Sequence, residues 1–277
     1  RVWNMKTHNA ETYGTNVLNA MIGKRFNYPK SLYAVQDTLR FFVANKPNAL
    51  IVDFFAGSGT TLHAVNLLNA EDGGHRRCIL VTNNEVSADE AKTLSAQGYQ
   101  PGDPEWEQYG IARYVTWPRT VCSIEGHDVN GKPLKGDYIT SGEEPMHMAD
   151  GFKANAAFFK LGFLDKNAVA LGRQFKELLP VLWLKAGAHG PCPSLEEAAE
   201  MPAMLVLPEN HFAVLTNESQ YETFATQVNI EDAITTVYIV TDSEPGYREM
   251  ISGLHAEDTY QLYRDYLDNF RINHGGR

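Results

Sequence analysis

The sequence predicts an α/β protein with a smaller C-terminal α/β unit, on three observations. Short apolar runs rich in β-branched residues, 49–55 (Ala-Leu-Ile-Val-Asp-Phe-Phe) and 78–81 (Cys-Ile-Leu-Val), read as strands covered on both faces. Segments with apolar residues at helical spacing alternate with them. A glycine turn joins the first run to a helix, which is how a βαβ unit begins. The 277 residues, 43% hydrophobic and 11% aromatic, supply enough apolar surface for one large domain or two ordinary ones.

Leu32, Val35, Leu39, Phe42 and Val43 recur at helical spacing behind Pro29 and a cap at Ser31, so an amphipathic helix is expected over 31–44. Asn45-Lys46-Pro47-Asn48 ends it, and the strand over 49–55 follows. Residues 60–69 carry Leu62, Val65 and Leu68 on one face of a second helix, with Glu71-Asp72-Gly73-Gly74 as its exit before the strand over 78–81. Ser87-Ala88-Asp89-Glu90 has capping-box spacing ahead of a helix that should end near Gly98. A Pro/Gly-punctuated acidic loop is expected over 99–108, a helix over 109–124 and a hairpin turn at Asn130-Gly131. Stretches 141–150 and 186–202 read as linkers. Past them, 203–207, 211–215 and 236–240 read as strands, and 218–228 and 258–270 as helices. The expected layout is a core over 1–140, a connecting region over 141–202 and a small α/β domain over 203–277.

The formal charge of −10 argues against strong non-specific nucleic-acid binding by this piece, since such binding needs Lys and Arg on phosphates. Lys24, Arg25 and Lys30, and separately Arg76, Arg77, Arg113 and Arg119, read as solvated surface charge, with phosphate tracking as the alternative. Three widely spaced cysteines without a Cys-x-x-Cys pair suggest neither disulfides nor zinc, and the nine histidines show no metal-ligand spacing. With no apolar signal segment and no run of about 20 apolar residues, a soluble cytoplasmic protein with no membrane partner is expected. A chain opening at Arg1 rather than Met reads as an excised piece of something longer. Thr241-Asp242-Ser243 after a strand suits a ligand-binding end or a helix cap equally.

Most informative is Asp53-Phe54-Phe55-Ala56-Gly57-Ser58-Gly59-Thr60-Thr61, a strand running through a glycine turn into a helix. Glycines admit a ligand close to the backbone, and the helix start offers free N–H groups to a carboxylate or phosphate. A nucleotide P-loop would need Gly-Lys-Ser/Thr, and no Lys lies in the turn; a dinucleotide fingerprint would need glycine where Leu62 stands. The run closely resembles the S-adenosylmethionine loop of amino-group DNA methyltransferases, D-x-F-x-G-S-G-T-T, and Asp53, Phe55, Gly57, Ser58, Gly59, Thr60 and Thr61 all match it. Glu85, at the carboxyl end of the second strand, is placed where α/β folds hold ribose hydroxyls, or is a solvated loop acid. Upstream, Tyr28-Pro29-Lys30-Ser31 resembles the segment that closes over the methionine end of the cofactor in β-type members. Its other reading is a plain helix-entry turn.

Residues 1–85 together resemble the modification subunits of type III restriction-modification systems, and Tyr109-Gly110-Ile111-Ala112-Arg113, Arg119 and Phe158-Phe159-Lys160-Leu161 do so more loosely. The resemblance implies a Rossmann-like S-adenosylmethionine-dependent methyltransferase fold with a partial doubly wound sheet. It also implies adenine-N6 DNA methylation within a restriction-modification system. Implied partners are double-stranded DNA for the intact enzyme, and a restriction subunit or a second methyltransferase copy. Cofactor contacts are expected at Tyr28, Lys30, Ser31, Asp53, Phe54, Phe55, Ala56, Gly57, Ser58, Gly59, Thr60, Thr61 and Glu85. The Asp-Pro-Pro-Tyr type motif that holds a flipped adenine is missing. Asp103-Pro104-Glu105-Trp106 is a decoy, an Asp/Pro turn starting a helix. No catalytic residue and no metal ligand is therefore expected, and the fragment should be inactive alone, because β-type members carry the catalytic motif and recognition region before the glycine loop. Two other readings are a non-catalytic module that binds the cofactor and serves assembly, and a nucleotide-dependent oxidoreductase, which the absent third glycine disfavours.

Overall fold

The computed structural model describes Trp3 and residues 5–142, 144–162, 175–195 and 201–262. By backbone contacts the chain divides into two compact units, Arg1–Phe159 and Lys160–Arg277, where the sequence suggests a core to 140 and a separate domain from 203.

In the first unit, helix α1 (Asn16–Ile22) buries Leu18, Met21 and Ile22. Helix α2 (Leu32–Val43) is capped by Ser31, whose Oγ accepts from the Ala34 N–H at 3.4 Å, as its position before the apolar repeat predicts. Strand β1 (Leu50–Asp53), helix α3 (Thr60–Asp72) and strand β2 (Arg77–Leu80) form the expected βαβ unit, with Leu50 opposite Arg77 and Asp53 opposite Leu80 in a parallel pair. Helix α3 runs on to a left-handed Gly73. Helix α4 (Ala88–Ala96) starts from the Ser87–Glu90 capping box, the Ser87 hydroxyl donating to Glu90 Oε2 at 2.7 Å. A short α5 (Pro104–Glu107) follows, with Asp103 before it and Pro104 in its first turn, as read for the decoy motif. A π-helical turn, Ala112–Thr116, leads into α6 (Trp117–Glu125). Asp128 Oδ1 then accepts from the Asn130 and Lys132 N–H groups, with Gly131 left-handed, which makes the turn that Asn130-Gly131 announces. The core joins α1, α2, α3 and α6 through Leu18, Met21, Leu32, Leu67 and Cys122.

Three features of this unit depart from expectation. The first strand stops at Asp53, because its Oδ1 accepts from the Phe55 N–H at 3.0 Å and turns the chain. The β1–β2 pair is not covered on both faces, since burial alternates along each strand and leaves Leu50, Val52, Ile79 and Val81 exposed. Within the expected linker over 141–150, β4 (Met146–His147) pairs antiparallel with β3 (Asp137–Tyr138), and a 3-10 turn follows.

In the second unit, helix α7 (Leu179–Lys185) precedes a four-stranded sheet of β5 (Met204–Leu207), β6 (Phe212–Leu215), β7 (Thr236–Val240) and β8 (Asp258–Leu262), in that spatial order. Strand β5 runs antiparallel to β6, and the other neighbours are parallel. Helices α8 (Tyr221–Ile230) and α9 (Glu244–Ser252) supply the crossovers and pack Phe224, Val228 and Met250 against Ala213, Leu215, Val237 and Ile239. On the opposite face, Phe212, Val214 and Tyr238 meet Leu179, Leu182 and Trp183 of α7. Every residue of β6 and β7 is buried, the pattern of a strand covered on both sides. The helix expected over 258–270 is corrected for its first five residues, which pair with β7; 263–270 lies outside the described residues. Of the expected linker over 186–202, residues near 190 are tied in, since the Asn210 amide donates to the carbonyls of His189 at 2.8 Å and Pro191 at 2.7 Å. Ser243 caps α9, resolving Thr241-Asp242-Ser243 toward the cap.

Candidate functional site

The glycine turn is held at four points. Asp53, the last residue of β1, accepts from the Phe55 N–H and, through Oδ2, from the Thr61 hydroxyl at 2.6 Å. The Ala56 N–H donates to Val81 O at 3.2 Å, and the Gly59 N–H to Ala56 O at 2.8 Å. From behind, the Thr116 hydroxyl donates to Gly57 O at 2.6 Å. Gly57 and Gly59 both have left-handed backbone, at φ +52° and +76°. A Cβ on Gly59 would sit 3.1 Å from Thr116 Cγ2, whereas at Gly57 nothing lies nearer than 3.8 Å. A Cβ on Gly57 would make ordinary van der Waals contact with the Phe55 carbonyl and the Phe26 ring, at 3.8 and 3.9 Å, without a clash. Among the described residues, the N–H groups of Gly57, Ser58, Thr60 and Thr61 find no backbone acceptor, leaving four donors at the start of α3.

A polar chain runs beneath the turn. Arg119 is 0% exposed, and its Nη1 donates to Thr60 Oγ1 at 2.7 Å, Ser58 Oγ at 3.0 Å and Ser58 O at 3.3 Å. Its Nε donates to His63 Nδ1 at 3.4 Å, and His63 Nε2 lies 2.9 Å from the Tyr138 hydroxyl. Burial, with the neighbouring Arg119 charge, holds His63 well below the ordinary imidazole range, so the ring is neutral. A guanidinium cannot accept, hence Nδ1 is the acceptor and Nε2–H donates to Tyr138. Burial lowers Arg119 to about 10, which leaves it charged at neutral pH.

The residues expected from sequence fall into three groups. Asp53, Ala56, Gly57, Ser58, Gly59, Thr60 and Thr61 form the turn. Phe54 and Phe55 extend from it into solvent, Phe55 at 92% exposure. Tyr28 (94% exposed, φ +58°) and Lys30 are open to solvent, while Ser31 is buried and its hydroxyl donates to Thr7 O at 2.7 Å. The Ser31 oxygen is thus committed to its own helix cap and to Thr7. Glu85 is exposed past the end of β2, and its carbonyl accepts from the Ile111 N–H at 2.9 Å.

Two of the arginines read as surface charge are corrected. Arg119 is buried as described, and Arg76 is buried between Asp72 at 2.8 Å and the Val43 and Ala44 carbonyls. Sequence reasoning also missed Thr116 and Asn84. The Asn84 amide donates to Glu107 O at 2.7 Å and fills the space a side chain at Gly110 would need, 2.2 Å from its Cγ. Among the described residues, no group of His, Cys, Asp and Glu is placed to hold a metal, and no helix is long and apolar enough to cross a membrane.

Residues 1–93 match the DNA methylase family. The chain is 42% identical over 84 residues to the type II methyltransferase M.KpnI of Klebsiella pneumoniae, covering 30% of this chain and 19% of that protein. It is 38% identical over 183 residues to the StyLTI Mod subunit, a type III restriction-modification enzyme of Salmonella typhimurium, covering 59% of this chain and 27% of that subunit. Against the EcoPI Mod subunit of Escherichia phage P1, also type III, identity is 33% over 99 residues, 36% of this chain and 15% of the subunit. The chain is thus similar to methyltransferases of restriction-modification systems, and spans about a quarter or less of the length of the relatives it matches.

Proposed function

We propose that this chain is the cofactor-binding part of a site-specific DNA methyltransferase, which in its intact form methylates the N6 of a flipped adenine within a restriction-modification system. The observation that carries the reading is the turn at Gly57-Ser58-Gly59, with two left-handed glycines and four free N–H donors at the start of α3. Its similarity to DNA methylases over residues 1–93 makes S-adenosylmethionine the ligand of choice. The fold is then a Rossmann-like core, of which β1, α3 and β2 are the cofactor-binding portion.

The donors of the turn meet the polar end of the ligand, and Asp53 fixes the turn's shape. Phe54, Phe55 and Ala56 provide apolar surface beside it. Glu85 takes ribose hydroxyls. Lys30 meets the methionine carboxylate by charge, Tyr28 covers it, and Ser31 contributes by fixing the start of α2. The cofactor supplies an activated methyl group, and transfer to an amine needs alignment and exclusion of water more than a protein nucleophile. The intact enzyme acts on double-stranded DNA, with a restriction subunit or second methyltransferase copy as partner. The second reading, a cofactor-binding module that serves assembly, is favoured by the apolar face left open on β1 and β2.

Calorimetric titration of the chain with S-adenosylmethionine and S-adenosylhomocysteine tests the site. Saturable binding that Gly57→Val abolishes supports it. No binding by folded wild type at millimolar ligand overturns it.

A further inference from the structure

Arg119 is a buried cation with no anion beside it. Its guanidinium hydrogen-bonds only neutral groups, the oxygens of Ser58 and Thr60 and the imidazole of His63, and among the described residues no carboxylate forms an ion pair with it. Asp53, the acid of the turn, is engaged by Thr61 and the Phe55 N–H instead. A buried charge ordinarily demands a counter-charge. This one also lies against the first turn of α3, where the helix macrodipole is already positive and disfavours a cation. The free N–H groups of Gly57, Ser58, Thr60 and Thr61 are the source of that positive field. The Asp53 carboxylate is the negative group of the turn, with its two oxygens occupied by the Phe55 N–H and the Thr61 hydroxyl, and a ligand carboxylate at the free N–H groups would supply Arg119 with a second anion.

We infer that Arg119 is a positioning residue that clamps the glycine turn from beneath and, through its unneutralised charge, makes the turn select ligands that carry a carboxylate over the same ligands without one. The inference rests on the reading of the turn as the S-adenosylmethionine site and deepens it. Arg119 reaches the ligand only through Ser58 and Thr60. A purely structural clamp would affect all ligands alike, whereas a charge acts on the ligand's own charge in a poorly screened site.

The test compares two ligands on the full chain by calorimetry: S-adenosylhomocysteine and its decarboxylated analogue, which keeps the amine, thioether and nucleoside. Wild type is expected to bind the carboxylate-bearing ligand at least about tenfold more tightly. Arg119→Gln is expected to shrink that ratio at least about fivefold, and Arg119→Lys to keep it within about twofold while both affinities fall. Equal weakening of both ligands by Arg119→Gln, with circular dichroism reporting a folded chain, overturns the charge role and leaves the site reading intact. Should Arg119→Gln not fold, Arg119→Lys decides: a ratio that collapses with the charge retained overturns the proposal, and a retained ratio supports it. Wild type that binds neither ligand overturns the reading of the turn and this proposal with it.

Discussion

The Thr61 hydroxyl donates to Asp53 Oδ2 across 2.6 Å, tying the end of β1 to the first turn of α3. The other carboxylate oxygen takes the Phe55 N–H, so one side chain closes both arms of the glycine turn. Hydrogen bonds to charged groups are worth about 1.5–3 kcal/mol each. Asp53→Asn, which keeps the size and loses the charge, is expected to lower stability in urea by about 1–2 kcal/mol and to weaken S-adenosylhomocysteine binding about tenfold. Unchanged values for both would remove Asp53 from the architecture of the turn.

The two glycines should respond differently to substitution. At Gly59 an added Cβ meets Thr116 at 3.1 Å in a left-handed backbone, so Gly59→Ala is expected to cost about 1–3 kcal/mol, read from thermal or urea unfolding. At Gly57 the backbone is also left-handed but an added Cβ meets nothing nearer than 3.8 Å, so Gly57→Ala should cost less stability and act chiefly on binding. A melt in which Gly57→Ala is the more damaging of the pair would contradict this geometry.

His63 makes stability depend on acidity. Its folded pKa lies well below the ordinary imidazole value, so between the two the unfolded chain binds a proton that the folded chain refuses. Stability is therefore fully present above about pH 6.5 and falls as pH drops toward the folded value, by up to about 1.4 kcal/mol per unit. The exposed His127 is raised chiefly by the Asp128 backbone carbonyl and His147 chiefly by Asp137, and both act in the opposite sense. The comparison is consequently made between wild type and His63→Gln, by denaturant melts from pH 7.5 to 5. The variant should show the shallower decline.

Thiol chemistry separates the three cysteines. Burial and the Asp53 carboxylate push Cys78 up to about 12, and burial with Asp128 pushes Cys122 up to about 11. Cys192 is raised less and is exposed. Ellman's reagent at pH 8 should therefore label Cys192 first, with the other two following only on unfolding. Mass spectrometry of the early product locates the label, and early modification of Cys122 would contradict its buried placement.

What the sequence made legible is local. Ser31 and Ser87 announce their helices because a cap is a contact within four residues, and Gly57 and Gly59 announce the turn because left-handed backbone has few other occupants. Arg119 was not legible, since nothing in its neighbourhood distinguishes it from Arg113, which is not buried; only tertiary packing beneath Ser58 and Thr60 sets them apart. The same holds for β8, where Asp258-Thr259-Tyr260-Gln261-Leu262 precedes a helically spaced run and is made a strand by pairing with distant β7. Strands β1 and β2 are legible as strands, but their apolar sequences suggest two covered faces where the structure leaves one exposed.

That uncovered face has a thermodynamic meaning. Val52 and Ile79 are cross-strand neighbours, both turned to solvent, and β1 ends at Asp53, the residue that shapes the turn. Whatever shields this face stabilises the strand from which the turn is built. For a chain that binds its ligand at the turn, ligand affinity and coverage of this face are linked functions. If covering the face tightens ligand binding by some factor, the ligand must strengthen the covering association by the same factor. Where a partner covers the face, the melting temperature of this chain rises with the concentration of that partner and with ligand saturation.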